Sequence, residues 1–270
     1  MENFQTLTIS TERKKKLLHR IYSTDEFSQF ISTKFNTMKR FGLEGCESFI
    51  PGLKSALDEC SEKGAEKAVF GMPHRGRLNF LANVVRKPLA TIFAEFQGVM
   101  PTEDKEANWH QQSGDVKYHL GTSFTKTLAN GKEFTCEVLA NPSHLECINP
   151  VVMGKVRAEN HFRNISKFGE TAAVDRKKII PVLIHGDAAL AGQGVCYESI
   201  QMQDLQNYTI GGTLHIIVNN QIGFTTVPSK GRSGMYSSDL AKTVNAPIIH
   251  VNADCLESVH RAFKMAADYR

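Results

Sequence analysis

The sequence predicts an α/β fold: a mostly parallel sheet with helices on both faces, preceded by a short helical segment. Three observations carry that prediction. Short β-rich runs at 68–71, 134–140, 178–184, 213–218 and 247–251 alternate with helical patterns at 46–63, 77–85, 151–162 and 194–206. The run Ile179-Ile180-Pro181-Val182-Leu183-Ile184 has the continuous apolar texture of a buried strand. A length of 270 residues suffices for one large domain or two small ones with a real core.

Taken in order, residues 1–40 form the helical segment, with Leu17, Leu18, Ile21, Phe27, Phe30 and Ile31 at helix-like spacing. Residues 41–270 form the α/β domain. The basic run Arg13-Lys14-Lys15-Lys16 reads as a solvated helix face. The net charge is +4, from 32 basic against 28 acidic residues, and nothing aromatic or base-reading accompanies that run, so no nucleic-acid partner is expected. A content of 41% hydrophobic and 22% charged residues excludes disordered and collagen-like chains, and the apolar runs are too short to cross a bilayer. The polar stretch 99–114, with Pro101 and the single tryptophan Trp109, reads as a surface loop. Leu256, Val259, Phe263 and Ala267 form an apolar helical stripe, and the chain stops at Arg270 without a capping glycine or proline. With no targeting segment at the start, both ends read as cut from something longer.

The six cysteines, at 46, 60, 136, 147, 196 and 255, show neither Cys-x-x-Cys nor zinc-ligand spacing, and no secretory leader precedes them. They point to a reducing compartment, with Cys136 in a strand and Cys196 in a helix as core residues. No Gly-x-Gly-x-x-Gly follows a strand, which weighs against an ordinary dinucleotide site.

The chemistry-bearing signal is His185-Gly186-Asp187-Ala188 at the end of the buried strand, followed by Gly192-Gln193-Gly194 and a helix. The next strand then delivers Asn219-Asn220-Gln221-Ile222-Gly223. Parallel strands release their ligand-binding loops at their carboxyl ends, so Asp187 and Asn220 are expected in one crevice. A carboxylate, an amide oxygen and a backbone carbonyl are hard ligands for Mg²⁺, which in turn neutralises a diphosphate, and the helix opening near Gly194 offers N–H donors to the same anion. Alone, Gly186-Asp187 would be read as a helix cap and Asn219-Asn220 as a turn. The pairing of two strand ends favours the site.

Gly186-Asp187-Ala188 followed about thirty residues later by Asn219-Asn220 resembles the thiamine-diphosphate motif, with Ala188 in place of its last glycine. Four further blocks occur in order: Phe41-Gly42-Leu43-Glu44-Gly45, Gly71-Met72-Pro73-His74-Arg75-Gly76-Arg77-Leu78-Asn79, Gly114-Asp115-Val116-Lys117-Tyr118-His119-Leu120-Gly121 and Asn141-Pro142-Ser143-His144-Leu145-Glu146. Together, over residues 7–270, they resemble the thiamine-diphosphate-dependent decarboxylase component of the 2-oxoglutarate dehydrogenase complex, with the 2-oxoadipate-specific relative as second choice. The resemblance implies the diphosphate-binding half of the thiamine-diphosphate fold, with thiamine diphosphate and Mg²⁺ as cofactors.

By that resemblance Asp187, the Asn220 side chain and the Ile222 carbonyl hold the metal. Arg75 pairs with the diphosphate, while Ser143, Leu145 and Ala188 line the cofactor site. His74 and His119 contact the substrate's remaining carboxylate and move protons, with Ser123 and His144 as weaker helpers. His185 supports the metal loop. Glu146 and Glu198 are helix-cap or supporting residues, because the family's ylid-generating glutamate lies in a later domain contributed across a dimer interface. His19, His110, His161, His215, His250 and His260 are read as structural. The implied partners are 2-oxoglutarate, a second subunit, a lipoyl-bearing succinyltransferase and dihydrolipoyl dehydrogenase. The implied compartment is the mitochondrial matrix, or the cytoplasm if the source is bacterial. By itself the chain is expected to show no turnover, and a non-catalytic truncated paralogue is the competing class.

Overall fold

In the computed structural model, residues 8–98, 118–128, 131–163 and 175–270 are described. The loop expected at 99–114, with Trp109 and His110, and the Gly114-Asp115-Val116-Lys117 part of its block lie outside them.

The chain opens with α1 (Thr11–Lys34), whose first turn is capped by Ser10: its Oγ accepts from the Arg13 N–H at 3.2 Å. Then follow α2 (Phe49–Glu62), β1 (Lys67–Gly71), α3 (Arg77–Phe80) running into a π-helical turn (Leu81–Val85), and α4 (Leu89–Gln97). After these come β2 (Thr122–Thr127), β3 (Glu133–Val138), α5 (Ile148–Arg163), β4 (Ile179–Gly186), α6 (Asp187–Gly192) and α7 (Gly194–Gln201). The chain closes with β5 (Leu214–Val218), the short α8 (Pro228–Gly231), a 3₁₀ segment (Ser237–Val244) and α9 (Leu256–Tyr269).

The five strands form one sheet in the order β2-β3-β1-β4-β5. Among the described strands only the β2–β3 pair is antiparallel; β1 pairs with β3 and β4, and β4 with β5, all parallel. Alternation along the strands sorts side chains to two faces. Ala68, Phe70, Ile180, Val182 and Ile184 join α2 residues such as Ile50, Leu53 and Leu57 in the main core. Val69, Ile179 and Leu183 meet Ile148, Val152 and Val156 of α5 on the other face. Burial on both sides explains why β4 reads as an unbroken apolar run. The expected C-terminal stripe docks on α2: a Cβ at Gly52 would lie 2.6 Å from the Phe263 ring and 2.7 Å from Val259. Phe27 and Ile31 of α1 belong to the main core, and all six cysteines are free thiols, with Cys136 and Cys196 buried.

The run at 247–251, expected as a strand, is extended chain outside any ladder among the described residues. Its Ile249 and Val251 are exposed, and a β-forming run becomes a strand only where a neighbouring edge meets it. Conversely, β2 escapes a reading by hydrophobicity because Thr122-Ser123-Phe124-Thr125-Lys126-Thr127 is a polar edge strand. The helix expected at 46–63 starts at Phe49, and that at 194–206 ends at Gln201. The Arg13-Lys14-Lys15-Lys16 run is only in part a solvated face: Arg13 reaches Asp58 of α2 at 3.3 Å, and Lys14 pairs with Glu257 of α9 at 2.7 Å.

His260 on α9 is buried, its Nδ1 without a hydrogen-bond partner among the described residues. Burial first, then the charges of Arg13, Lys264, Arg20 and Arg261, push its pKa down to about 4. The unfolded chain therefore binds a proton at His260 that the folded chain refuses, and stability falls as pH drops from about 6.5 towards 4. Between pH 7 and pH 5 this group alone is expected to lower unfolding free energy by about 2 kcal/mol. His260→Leu should flatten that slope in urea titrations; an unaltered slope would remove His260 as its source.

Candidate active site

The loops that follow the parallel strands gather at one edge of the sheet. β1 is followed by His74 and Arg75, β3 by Ser143 and Leu145, β4 by Asp187 and Ala188, and β5 by Asn220 and Ile222. Because β2 is antiparallel, His119, just before its start, belongs to the same edge, and its carbonyl accepts from the Asn141 N–H at 3.1 Å.

Contacts between the blocks join these loops. The Phe41 ring lies 4.6 Å from that of His74 and 5.2 Å, edge-on, from that of Tyr118, whose hydroxyl donates to the Lys39 carbonyl. The Gly76 N–H donates to the Phe41 carbonyl at 2.8 Å. Gly76 has φ +74°, and a Cβ there would lie 2.4 Å from Leu43 Cδ2, so only glycine lets these two loops approach. The Asn220 amide donates to the Leu43 carbonyl at 3.1 Å, and the Ser143 hydroxyl lies 3.3 Å from His119 Nε2. Phe41, Glu44, Glu146, Gln221 and Phe224, all in these loops, hold positive φ without being glycine. Strain of that kind, about 1–3 kcal/mol per residue, gathers at functional sites.

Arg75 and Arg77, either side of Gly76, have different fates. Arg75 stays near the surface, donating from Nη1 to the Gly42 carbonyl at 2.9 Å and to Glu44 at 2.7 Å. Arg77 is fully buried, and its guanidinium donates to the main-chain carbonyls of Met72 at 3.0 Å, Leu120 at 2.7 Å and Leu139 at 3.3 Å. Burial lowers its pKa to about 10, which leaves it charged at neutral pH. A buried cation thus ties together three of the loops and adds positive potential beneath them.

Glu146 is buried, and its Oε2 lies 2.6 Å from His185 Nδ1 while accepting from Asn149 Nδ2 at 2.8 Å. His185 Nε2 lies 2.9 Å from His215 Nδ1, with the rings stacked. The carboxylate fixes the imidazole next to the Gly186-Asp187 turn, joining the loop after β3 to the end of β4. Burial, then the Glu146 charge, pushes the Cys196 thiol up to about 12, so it stays protonated. Glu198 and His144 are exposed, as is Ser123 at the outer strand.

Asp187 is the buried first residue of α6. Its Oδ2 accepts from Arg232 Nη1 at 2.8 Å, and its buried Oδ1 has no partner among the described residues. The loop after β5 runs alongside: a Cβ at Gly223 would sit 3.1 Å from that of Ala188. The space that Ala188 takes in place of glycine is left open by Gly223. Both loops line a cavity of about 40 Å³, with Arg232 in its wall, large enough for an ion or a water and too small for a diphosphate. Asn220 Oδ1 has one long contact, 3.4 Å from the Ile222 N–H. A buried carboxylate with one unsatisfied oxygen, following β4 as Asn220 follows β5, offers the hard oxygen chemistry that Mg²⁺ takes. Among the described residues no cluster of three His, Cys, Asp or Glu could hold a metal, so a cation here would be held by a mixed oxygen set.

Sequence reasoning missed Arg232 and Arg77 as distinct from Arg75, while His215, read as structural, stacks on His185. Arg77 stands inside a quoted block, but Arg232 carries no local signal at all.

The molecule is therefore an α/β protein whose candidate site lies where such sheets bind ligands, outside the carboxyl ends of parallel strands. Residues 20–270 match the model of the dehydrogenase E1 component, and the chain belongs to that family, which depends on thiamine diphosphate. It is 48% identical, over 269 residues, to the mitochondrial 2-oxoglutarate dehydrogenase of Dictyostelium discoideum, covering 100% of this chain and 26% of that protein. It is 49% identical, over 261 residues, to the mitochondrial 2-oxoglutarate dehydrogenase of Saccharomyces cerevisiae, covering 97% and 25%. A 2-oxoglutarate dehydrogenase-like mitochondrial protein of Xenopus laevis is 49% identical over 260 residues, covering 96% and 24%. The chain spans about a quarter of the length of the curated relatives it matches.

Proposed function

We propose that the chain forms the diphosphate- and magnesium-holding part of a thiamine-diphosphate-dependent 2-oxoglutarate dehydrogenase. The observation that carries this reading is the convergence of the motif blocks on one sheet edge around the half-satisfied carboxylate of Asp187. Asp187, the Asn220 side-chain oxygen and the Ile222 carbonyl would hold Mg²⁺, with Ser143, Leu145 and Ala188 lining the cofactor site. Thiamine diphosphate, when bound, supplies the electron sink for loss of CO₂ from a 2-oxo acid.

The chain's own residues bind and orient. Arg75 exchanges its solvent-screened pairing with Glu44 for a diphosphate oxygen, a task its forked donors suit. His119, placed by Ser143, and His74, placed by Phe41, offer imidazole donors to the carboxylate that the substrate keeps and a route for protons. Glu146 holds His185, and through it the metal-bearing turn. Phe224 is 92% exposed and Met235 79%, on the same loop as Arg232, and with Val227 and Tyr236 they support a second subunit covering this face. A lipoyl-bearing succinyltransferase would take the succinyl group and dihydrolipoyl dehydrogenase would reoxidise the lipoamide. The names of the relatives support the mitochondrial matrix as compartment.

In the whole protein, CO₂ release from 2-oxoglutarate is expected to require both thiamine diphosphate and Mg²⁺. His119→Ala should lower kcat by about 100-fold while leaving cofactor affinity unchanged. Turnover confined to 2-oxoadipate would move the substrate to the longer dicarboxylate, and turnover of neither would overturn the proposal.

A further inference from the structure

At the opposite edge of the sheet lies a second cavity, of about 230 Å³, between α1, α2, the turn after the π-helical segment and the end of β2. Five cationic side chains line it: Lys16 and Arg20 of α1, Lys54 of α2, Arg86 and Lys126. One carboxylate, Asp58, faces them, and it is already shared between Arg20 at 3.0 Å and Arg13 at 3.3 Å. Arg20 is buried, and its Nη1 has no hydrogen-bond partner among the described residues. Lys126 is buried as well, on the strand residue that pairs with Phe134 at the start of β3, which places it at the amino edge of the parallel strands. Arg86 holds φ +65°, a left-handed conformation that a non-glycine side chain seldom adopts.

We propose that this cavity is a binding site for a compact polyanion, a small molecule carrying two or more phosphate or carboxylate charges. Four cations beyond the single shared carboxylate repel one another in a half-buried space, and a multiply charged anion removes that repulsion while giving Arg20 Nη1 an acceptor. The crowding of charge adds to burial at Lys54. Burial, then the charges of Arg20, Lys126 and Arg86, lower its pKa to about 8, against an opposing effect from Asp58, and its Nζ donates to the Asn83 carbonyl at 2.8 Å. Among the described residues His19 is the one aromatic ring in the lining, which suits a compact anion better than a nucleotide whose base must stack. The site lies at the far end of the strands from Asp187, and its ligand needs no metal.

The test is calorimetric titration of inorganic triphosphate, and separately of citrate, into the whole protein with a chelator present, so that the metal-dependent site is silent. Saturable binding is expected for at least one of them, and the stronger binder tells phosphate from carboxylate chemistry. Arg86→Glu, on an exposed side chain, should weaken it about tenfold or more, as should Lys54→Gln. Lys15→Glu makes the same charge change as Arg86→Glu, on α1 outside the cavity, and should leave it unaltered. Affinity should fall as pH rises through about 8, where Lys54 loses its proton. Absence of binding by both anions, or equal weakening by Arg86→Glu and Lys15→Glu, would overturn the proposal. Each outcome is independent of whether thiamine diphosphate binds at the other edge.

Discussion

Asp187→Ala is expected to abolish Mg²⁺-dependent binding of thiamine diphosphate, weakening it by about 100-fold or more in equilibrium titrations. The substitution removes the carboxylate from the proposed ligand set, and a neutral amide and a carbonyl bind Mg²⁺ poorly. It also leaves the Arg232 guanidinium, whose side chain is only 10% exposed, buried without its partner. Breaking a buried pair from one side costs about 3–5 kcal/mol, so the protein without metal should unfold at lower denaturant as well. Arg232→Met separates the two effects. It too destabilises the metal-free protein, but it frees Asp187 Oδ2 from a competing cation, so added Mg²⁺ should raise the unfolding temperature of Arg232→Met by more than it raises that of the parent. An equal or smaller rise would mean that Arg232 does not stand in the way of the metal, and retention of cofactor binding by Asp187→Ala would remove Asp187 from the ligand set.

That pair shows what a sequence discloses and what it withholds. Asp187 was legible because it ends an apolar run and starts a helix, and because Asn220 stands at the corresponding place on the next strand. Strand order, a parallel register and an edge are enough to bring such residues to one side of a sheet. Arg232 was not legible because its contact spans 45 residues and depends on how an irregular loop folds back over the turn. The same division holds in the fold. β4 and β1 announce themselves through burial on both faces, whereas β2 is polar and is fixed by its neighbour β3 rather than by its own composition. The run at 247–251 has strand-forming residues and no ladder partner among the described residues. Glu146 is intermediate: its block marks the loop, but only the folded chain shows that its carboxylate turns inward to His185.

Arg77→Met is expected to lower unfolding free energy by about 3–5 kcal/mol, even though the new side chain fills much of the same space. Arg75 and Arg77 are indistinguishable as residue types in a glycine-flanked motif, but they leave the chain on either side of a left-handed glycine, one towards solvent and one into the interior. The interior one holds carbonyls from three separate loops, and without it the Met72, Leu120 and Leu139 oxygens lose their bonds to a buried guanidinium. Burial of the cation itself is unfavourable, as its lowered pKa shows, so the stabilisation comes from these charge-assisted bonds. Arg77→Lys therefore discriminates between charge and shape. A compact ammonium keeps the charge but cannot span three acceptors set around a planar fork, and a loss of about 2 kcal/mol should remain. Because the loops so joined carry His74 and His119, Arg77→Lys should also raise the KM for 2-oxo acid in the whole protein more than it lowers kcat. If both variants unfold within about 0.5 kcal/mol of the parent, the buried guanidinium does not organise this edge of the sheet.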